Sequence, residues 1–350
     1  MWRNRHVLVT GGASFIGSNL VDNLVQKQAK VVIADDFSSG KWSNLEYKFE
    51  KKGRNLWKST RLSVHKGDLK DRSFTRSVMK DIDVVFHLAA SHGGRGYIHT
   101  HPVECCTNMA LDQIVFEEAY REGVERVCFA SSACVYPIYL QEETGSSYLL
   151  KEEDADPFVR GKSFADLEYG WAKLMGEMTL RAYYKQNGVK CSSVRIFTCY
   201  GPRENETHAI IALIAKAFIR MDPYSIWGTG DQDRNFTYVQ DIVDALMLSA
   251  ERIEDGAAIN AGRSDRTTLN RSAEMIFDIV GWKPKAVRHD LSRPQGVASR
   301  AADLTLARRR LGWEPKVGFK EGFEKTVEWY FTHKDRAKVK ADLEKLLDER

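Results

Sequence analysis

The sequence predicts an α/β protein built on a doubly wound parallel sheet, with a smaller and mostly C-terminal second lobe. Short apolar runs of β character alternate with helical patterns, which indicates βαβ units joined by right-handed crossovers. A glycine-rich turn connects the first of these runs to the first helix. Beyond about residue 200 the alternation loosens, which predicts the second lobe.

The predicted elements follow in chain order. Strands are expected at His6–Thr10, Lys30–Asp35, Ser63–His65, Val84–Ala89, Arg126–Ser131 and Ser192–Ile196. Helices are expected near 17–28, 72–80, 102–122 and 167–187, and in the second lobe near 208–220, 239–252 and 268–280.

Three regions are expected along the chain. Residues 1–200 should form a dinucleotide-binding domain, and residues 201–335 should form mainly a substrate-binding lobe interleaved with it. Residues 336–350 have Val339 and Leu343 at helical spacing among many Lys, Asp and Glu residues. A charge run of this kind favours a helix that lies in solvent.

Composition and charge narrow the class of protein. The chain is 43% hydrophobic and 29% charged with a net charge of +4, which is typical of a globular protein and disfavours a general nucleic-acid binder. The six cysteines form no CxxC pair, so neither a disulfide framework nor a metal site is predicted. No signal peptide and no apolar run of about 20 residues is recognised, so we expect a soluble, cytoplasmic protein.

The segment VLVTGGASFIGSNL follows a strand and opens a helix, as a Rossmann-type phosphate-binding turn does. Gly11 permits the tight turn, Gly17 permits close packing of helix on strand, and the helix N-terminus offers N–H groups to a pyrophosphate. Ser14 stands where the GxxGxxG pattern has its middle glycine, and a side chain there narrows the permitted backbone. The predicted phosphate-binding residues are Gly11, Ser14, Phe15, Ile16 and Gly17.

Residues after the next strands fit the same dinucleotide. Asp35 lies about 20 residues past the glycines, where a carboxylate binds a ribose 2′-hydroxyl and repels a 2′-phosphate, so NAD is favoured over NADP. Small residues end the fourth strand, where the backbone must approach a cofactor closely. The further predicted cofactor residues are Asp68 and Leu69 after the third strand, and Leu88, Ala89 and Ala90 after the fourth.

The motif YGWAK places Tyr169 and Lys173 one helical turn apart on the same face. An ammonium group beside a phenol favours the phenolate, which is a general base for hydride transfer from a sugar hydroxyl. Ser132 supplies a hydroxyl in the segment FASSACVYP. If that segment is extended, Ser132 and Cys134 point to the same side of a strand.

Together these motifs resemble the extended short-chain dehydrogenase/reductases that act on nucleotide sugars, over residues 5 to about 332. The resemblance implies a Ser132–Tyr169–Lys173 catalytic triad, a bound NAD, and a role for Asn108 in holding the cofactor site. It also implies a homodimer formed through two helices beside the active-site helix. A cofactor-sensing member without turnover is disfavoured because both Tyr169 and Lys173 are present.

The same resemblance implies a set of substrate residues. DRNFTYVQD resembles a family stretch whose arginine, here Arg234, contacts the nucleotide diphosphate, and RPQGVASRAAD resembles a late loop whose arginine, here Arg300, clamps a phosphate. SHGGRGYI resembles a glycine-rich substrate loop. The predicted substrate residues are Gly93, Gly94, Arg95, Thr198, Arg234 and Arg300.

Within the family, Ser-Ser-Ala-Cys before Val-Tyr-Pro is most similar to the GDP-mannose 3,5-epimerases, in which the cysteine is one of two acid/base groups beside the sugar. Cys134 would take this role, because a thiol near cations loses and regains a proton near neutral pH. Those enzymes carry a lysine as the second group, and His208 aligns nearest to it here, either as an acid/base or as a structural residue. The alternative is a UDP-hexose or UDP-hexuronate 4-epimerase, in which Cys134 only lines the sugar site; Thr198 also occurs in UDP-glucuronate 4-epimerases.

Overall fold

The computed structural model describes residues 1–293 and 295–348. Its strands are β1 (His6–Thr10), β2 (Lys30–Asp35), β3 (Glu50–Gly53), β4 (Leu56–Lys58), β5 (Leu62–Lys66), β6 (Val84–His87), β7 (Arg126–Ser132), β8 (Lys190–Ile196), β9 (Cys199–Tyr200), β10 (Tyr224–Trp227), β11 (Asp233–Arg234), β12 (Thr237–Tyr238), β13 (Asp255–Ala261), β14 (Thr267–Thr268), β15 (Val287–Asp290) and β16 (Ser299–Arg300). Its α-helices are α1 (Phe15–Gln26), α2 (Arg72–Met79), α3 (Arg95–Thr100), α4 (Pro102–Arg121), α5 (Leu167–Asn187), α6 (Ala209–Phe218), α7 (Val239–Arg252), α8 (Leu269–Val280), α9 (Thr305–Leu311), α10 (Phe319–His333) and α11 (Arg336–Asp348).

A nine-stranded sheet forms the centre of the molecule, in the order β13-β8-β7-β6-β1-β2-β5-β4-β3. The strands from β13 to β5 pair in parallel, and β4 and β3 extend this sheet as an antiparallel hairpin. The chain runs outward from β1 through β2 on one side and from β6 through β7 on the other. In such a sheet, ligands bind beyond the carboxyl ends of the strands at this switch point.

Among the described residues, three of four clusters of buried side chains hold the layers together. One lies between the sheet and helices α1 and α7, and includes Leu24 and Leu246. A second covers the opposite face under α2, α4 and α5, and includes Phe116. The third joins α6, α8, α10 and α11 away from the sheet. Because β13 and α7 return to the sheet, the chain after residue 200 contributes to both parts of the fold.

The predicted α/β fold class is confirmed, and the predicted strands and helices occur with ends shifted by a few residues. The FASSACVYP segment differs from the extended form considered above. The strand ends at Ser132, and residues Ala133–Val135 form a 3₁₀ turn in which the hydroxyl oxygen of Ser132 accepts a hydrogen bond from the Cys134 N–H at 3.1 Å. Cys134 therefore lies in a turn at the sheet edge and not on a strand face.

The expectation that the C-terminal helix lies in solvent is wrong for one of its faces. Val339, Leu343 and Leu347 of α11 are buried in the third cluster, and the helix packs against α6 and α3. Their four-residue spacing places them on one side of the helix, so the charged residues occupy the other side. Among the described residues, no helix is both long and apolar enough to cross a membrane.

Candidate active site

One cleft of about 540 Å³ lies beyond the carboxyl ends of the central strands. It brings together residues that are far apart in the sequence. The predicted residues that line it are Gly11, Ser14, Phe15, Ile16, Asp35, Asp68, Leu69, Leu88, Ala89, Ala90, Gly93, Gly94, Arg95, Asn108, Ser132, Cys134, Tyr169, Lys173, Thr198, His208, Arg234 and Arg300. Gly17 packs behind this wall, where a Cβ atom would lie 2.1 Å from the carbonyl oxygen of Gly11.

The glycine turn between β1 and α1 forms one end of the cleft. Gly11 has φ +66°, a conformation that L side chains rarely adopt, and a Cβ atom there would lie 3.0 Å from the backbone nitrogen of Ala89. Ser14 has φ −84°, which any residue adopts, and its hydroxyl donates a hydrogen bond to the Gly11 carbonyl at 2.5 Å. The serine therefore fits this turn without strain, although the pattern usually has glycine there.

Asp35 is fixed at the end of β2. Its carboxylate accepts hydrogen bonds from the backbone N–H groups of Ala13 and Phe37, at 2.9 and 2.8 Å. These bonds hold a negative charge next to the glycine turn, where a dinucleotide would present its ribose.

Tyr169 and Lys173 lie side by side on the buried face of α5. Tyr169 is 5% exposed. Burial, followed by the nearby Cys134, raises the pKa of Tyr169 well above its ordinary value, while a hydrogen bond with the Ser132 hydroxyl lowers that pKa. Burial lowers the pKa of Lys173, and the carboxylates of Asp112 and Glu177 oppose this. The Lys173 ammonium lies 5.9 Å from the centre of the Tyr169 ring, so a positive charge stands on the same helix face as the phenol.

Cys134 lies beside an arginine and a buried carboxylate. A guanidinium nitrogen of Arg300 is 3.6 Å from the Cys134 sulfur, and another is 3.3 Å from Asp166, which also binds Arg95 at 2.8 Å. Arg300 additionally hydrogen-bonds to Gln141. In this arrangement Arg300 is directed at protein groups, and its phosphate-binding role stays a prediction.

Three of the arginines that line the cleft, Arg95, Arg234 and Arg300, carry more positive charge than Asp166 compensates. Burial, followed by the charge of Arg300, lowers the pKa of Arg234, whose guanidinium donates to the carbonyl of Val297 at 2.6 Å. Arg95 and Arg300 share the single carboxylate of Asp166. An anionic group in the cleft would therefore be stabilised.

His208 lies across the same cleft at the start of α6. Its side chain is 29% exposed, and burial lowers its pKa to about 4. Its Nε2 atom is 3.4 Å from Nε2 of His92, whose ring stacks on Tyr169 at 4.7 Å between centroids. Its Nδ1 atom is 3.3 Å from a carboxylate oxygen of Glu204.

Comparisons with known proteins show which family the chain belongs to. Residues 7–262 match the family described as the NAD dependent epimerase/dehydratase family. The chain belongs to this family. It is 30% identical over 342 residues to a GDP-mannose 3,5-epimerase of Arabidopsis thaliana, covering 96% of this chain and 85% of that protein.

Solved structures of proteins in complex with UDP-glucose have the same fold. A UDP-glucose 4-epimerase of Thermotoga maritima, solved with UDP-glucose, has a TM-score of 0.79 and 26% identity, covering 93% of this chain and 99% of that one. The structure of MoeE5 in complex with UDP-glucose and NAD has a TM-score of 0.76 and 31% identity, and the match covers 93% of this chain and 98% of that one.

NAD is the cofactor of this epimerase/dehydratase family, and the residues present fit it. The cradle at Gly11 and Gly17 leaves no room for a Cβ atom, as close approach to a pyrophosphate requires, and Asp35 offers the carboxylate for a ribose. NAD supplies a reversible hydride acceptor when bound.

The sequence did not single out His92, Asp166 and Glu204, which line the cleft, or Asp112, whose charge acts on Lys173. His92 lies within the glycine-rich segment that was recognised, and Asp166 directly precedes the helix of YGWAK, so proximity to known motifs was the available signal. Asp112 hydrogen-bonds to buried His87 at 2.9 Å behind Lys173, and only the fold reveals that position.

Proposed function

We propose that this chain is an NAD-dependent epimerase of a nucleotide-diphosphate hexose, similar in action to GDP-mannose 3,5-epimerase and working through a transient ketone at C4. The main support for this proposal is that Cys134, in a Ser-Ser-Ala-Cys turn, lines the same cleft as Tyr169 and a second acid/base candidate, His208. The 30% identity to a GDP-mannose 3,5-epimerase over nearly the whole chain supports this choice.

The residues divide the chemistry between them. Tyr169, assisted by Ser132 and Lys173, removes the proton of the C4 hydroxyl and later returns it. NAD, when bound, would accept the hydride from the C4–H bond and give it back to C4. The ketone acidifies the hydrogens on C3 and C5. Cys134 and His208 then remove and replace a proton at these carbons, and inversion results when the new proton arrives on the opposite face.

The substrate's diphosphate is assigned to the arginine cluster. Arg95, Arg234 and Arg300 line the cleft near Asp166, and most of residues 201–335 form the lobe that we assign to substrate binding. The nucleotide is guanosine or uridine, because the similar proteins act on or contain GDP- and UDP-sugars.

Incubation in D2O with GDP-mannose, and separately with UDP-glucose, tests the reaction. The proposal predicts deuterium at C3 or C5 of recovered sugar, because those protons pass through exchangeable side chains. Cys134→Ser should still oxidise C4, seen as reduced-cofactor absorbance, and should lose exchange at one carbon. Inversion at C4 without any carbon-bound deuterium contradicts the proposal.

That outcome would instead establish the second candidate, a UDP-hexose or UDP-hexuronate 4-epimerase. The resemblance to the UDP-glucose-bound 4-epimerase favours this candidate. Cys134 would then only line the sugar site.

We also infer a homodimer through the outer faces of α4 and α5. Apolar side chains are exposed there side by side: Val103 and Met109 on α4, and Trp171 and Met175 on α5. The two helices pack along each other, so a second copy could complete a four-helix bundle. Trp171→Glu should convert a dimer into a monomer in sedimentation velocity, whereas an unchanged dimer would exclude this face.

A further inference from the structure

A buried carboxyl group, Glu204, lies behind His208, and its surroundings are unusual. Glu204 is 2% exposed, and among the described residues no lysine or arginine lies within ion-pair distance of it. Its Oε2 atom and Nδ1 of His208 have no hydrogen-bond partner in that part of the chain. The 3.3 Å approach of Oε1 to Nδ1 is too oblique for a formed hydrogen bond, so a small side-chain rotation would satisfy both groups.

The neighbouring Glu206 provides an internal contrast. Its carboxylate accepts hydrogen bonds from the Lys334 ammonium at 2.7 Å and the Tyr330 hydroxyl at 2.8 Å, and the Lys334 charge outweighs burial so that the pKa of Glu206 is lowered. Burial without such a cation raises the pKa of Glu204 well above its ordinary value. The pKa values of two carboxyl groups in one turn are therefore shifted in opposite directions, and the cation that stabilises a carboxylate lies beside Glu206.

His208, in contrast to Glu204, lacks a proton that it can readily donate. The lowered pKa of its ring leaves the imidazole neutral at neutral pH, and the N-terminus of α6 also disfavours a positive charge there. A neutral imidazole on its own is a weak proton donor. An epimerisation, however, requires a group that delivers a proton to the sugar carbon.

We propose that Glu204 is the proton reservoir of His208. This proposal rests on the proposed function. The proton-transfer step begins with Glu204 protonated and with His208 carrying its proton on Nε2. The Nε2–H bond breaks as a C–H bond forms at the carbanion carbon of the sugar, and the Glu204 proton passes to Nδ1. The sugar becomes a neutral ketone, His208 remains neutral in its other tautomer, and Glu204 becomes a carboxylate, so charge and protons balance.

His92 completes this arrangement as a positioning residue. Its ring stacks on Tyr169, and its Nε2 atom lies 3.4 Å from Nε2 of His208. This contact places the proton-carrying nitrogen of His208 beside the ring that stacks on Tyr169, the residue that acts on C4. Carbons C3 and C5 are the immediate neighbours of C4, so the donor is directed to the part of the sugar where a proton is needed.

Paired substitutions at Glu204 separate a proton reservoir from a structural role. Glu204→Gln preserves size and can still donate a hydrogen bond to Nδ1, but it has no proton to transfer; Glu204→Asp keeps a protonatable carboxyl. We expect Glu204→Gln to lower deuterium incorporation at one of C3 and C5 by about 10²-fold, with reduced-cofactor formation and KM unchanged, and Glu204→Asp to recover part of the loss. Glu206→Gln is the matched control for removing a buried carboxylate from the same turn.

Several results would overturn the reservoir. The first is a rate of deuterium exchange in Glu204→Gln within about threefold of the wild type. The second is an equal loss of exchange in the Gln and Asp variants, and the third is a loss of C4 oxidation together with the loss of exchange. Absence of C3 and C5 exchange in the wild-type enzyme would overturn the proposed function and the reservoir together.

The ¹⁵N spectrum of histidine-labelled enzyme at pH 7, assigned with a His208→Gln variant, gives a separate test without substrate. An Nε2–H tautomer supports the reservoir, whereas an Nδ1–H tautomer contradicts it and leaves the proposed function untouched.

Discussion

The substitution Gly94→Ala tests how the glycine-rich loop holds the turn that carries His208. A Cβ atom on Gly94 would lie 1.8 Å from the carbonyl oxygen of Thr207 and 2.6 Å from its carbonyl carbon. Both are backbone atoms, so no side-chain rotation can relieve the clash. Because ordinary contact begins at 3.4 Å, the two segments must separate by about 1.6 Å.

Such a shift would move His208, the next residue, away from His92. A displacement of about 1 Å at a reacting group costs about 10²-fold in rate, and overpacking of this kind costs about 1–3 kcal/mol of stability. We therefore expect Gly94→Ala to lose about 10²-fold of the C3 and C5 deuterium exchange and a few degrees of melting temperature.

The assay follows deuterium incorporation by NMR and unfolding by circular dichroism. Gly53→Ala is the control, because its Cβ atom would meet only the Leu56 Cβ, at 3.7 Å. Exchange in Gly94→Ala within about threefold of the wild type, at an unchanged melting temperature, would show that the loop yields without consequence and would refute the reasoning.

Three further predictions concern single groups. Tyr169→Phe should lower turnover by about 10³-fold because the general base is removed, while NAD titration should show unchanged binding; substantial remaining activity would exclude Tyr169 as the base. His208 binds protons less readily when folded, with a pKa near 4 against 6.5 when unfolded, so its contribution to stability is complete above pH 6.5 and is lost as pH falls towards 4. Urea unfolding should show that His208→Gln abolishes about 2 kcal/mol of the wild-type loss between pH 6.5 and 4.5, and parallel curves would contradict this. Leu343→Ala should loosen α11 from α6 and α3, seen as faster amide hydrogen exchange in residues 336–348, whereas unchanged protection would mean that Leu343 does not anchor the helix.

The cofactor half of the cleft could be predicted from local patterns. Gly11, Gly17 and Asp35 act within a single strand-turn-helix-strand unit, so their spacing carries their geometry. YGWAK was informative for the same reason, because one helical turn fixes the relation of Tyr169 to Lys173.

The sugar half depends on contacts between distant segments. His92 and His208 are 116 residues apart, and Asp166 and Arg300 are 134 apart, so no local pattern announces either pair. The turn at Cys134 was missed because Ala-Cys-Val has strand propensity, whereas the Ser132 hydroxyl caps the Cys134 N–H and bends the chain.

The hairpin of β3 and β4 has a consequence for how copies of the chain meet. All four residues of β3 are exposed, and this strand forms one edge of the nine-stranded sheet. Lys51 and Lys52 stand at this edge, and the Lys52 ammonium lies 2.5 Å from the Glu50 carboxylate, so charged side chains line the edge and disfavour the addition of another strand. Growth of the sheet from molecule to molecule is thereby discouraged at this edge.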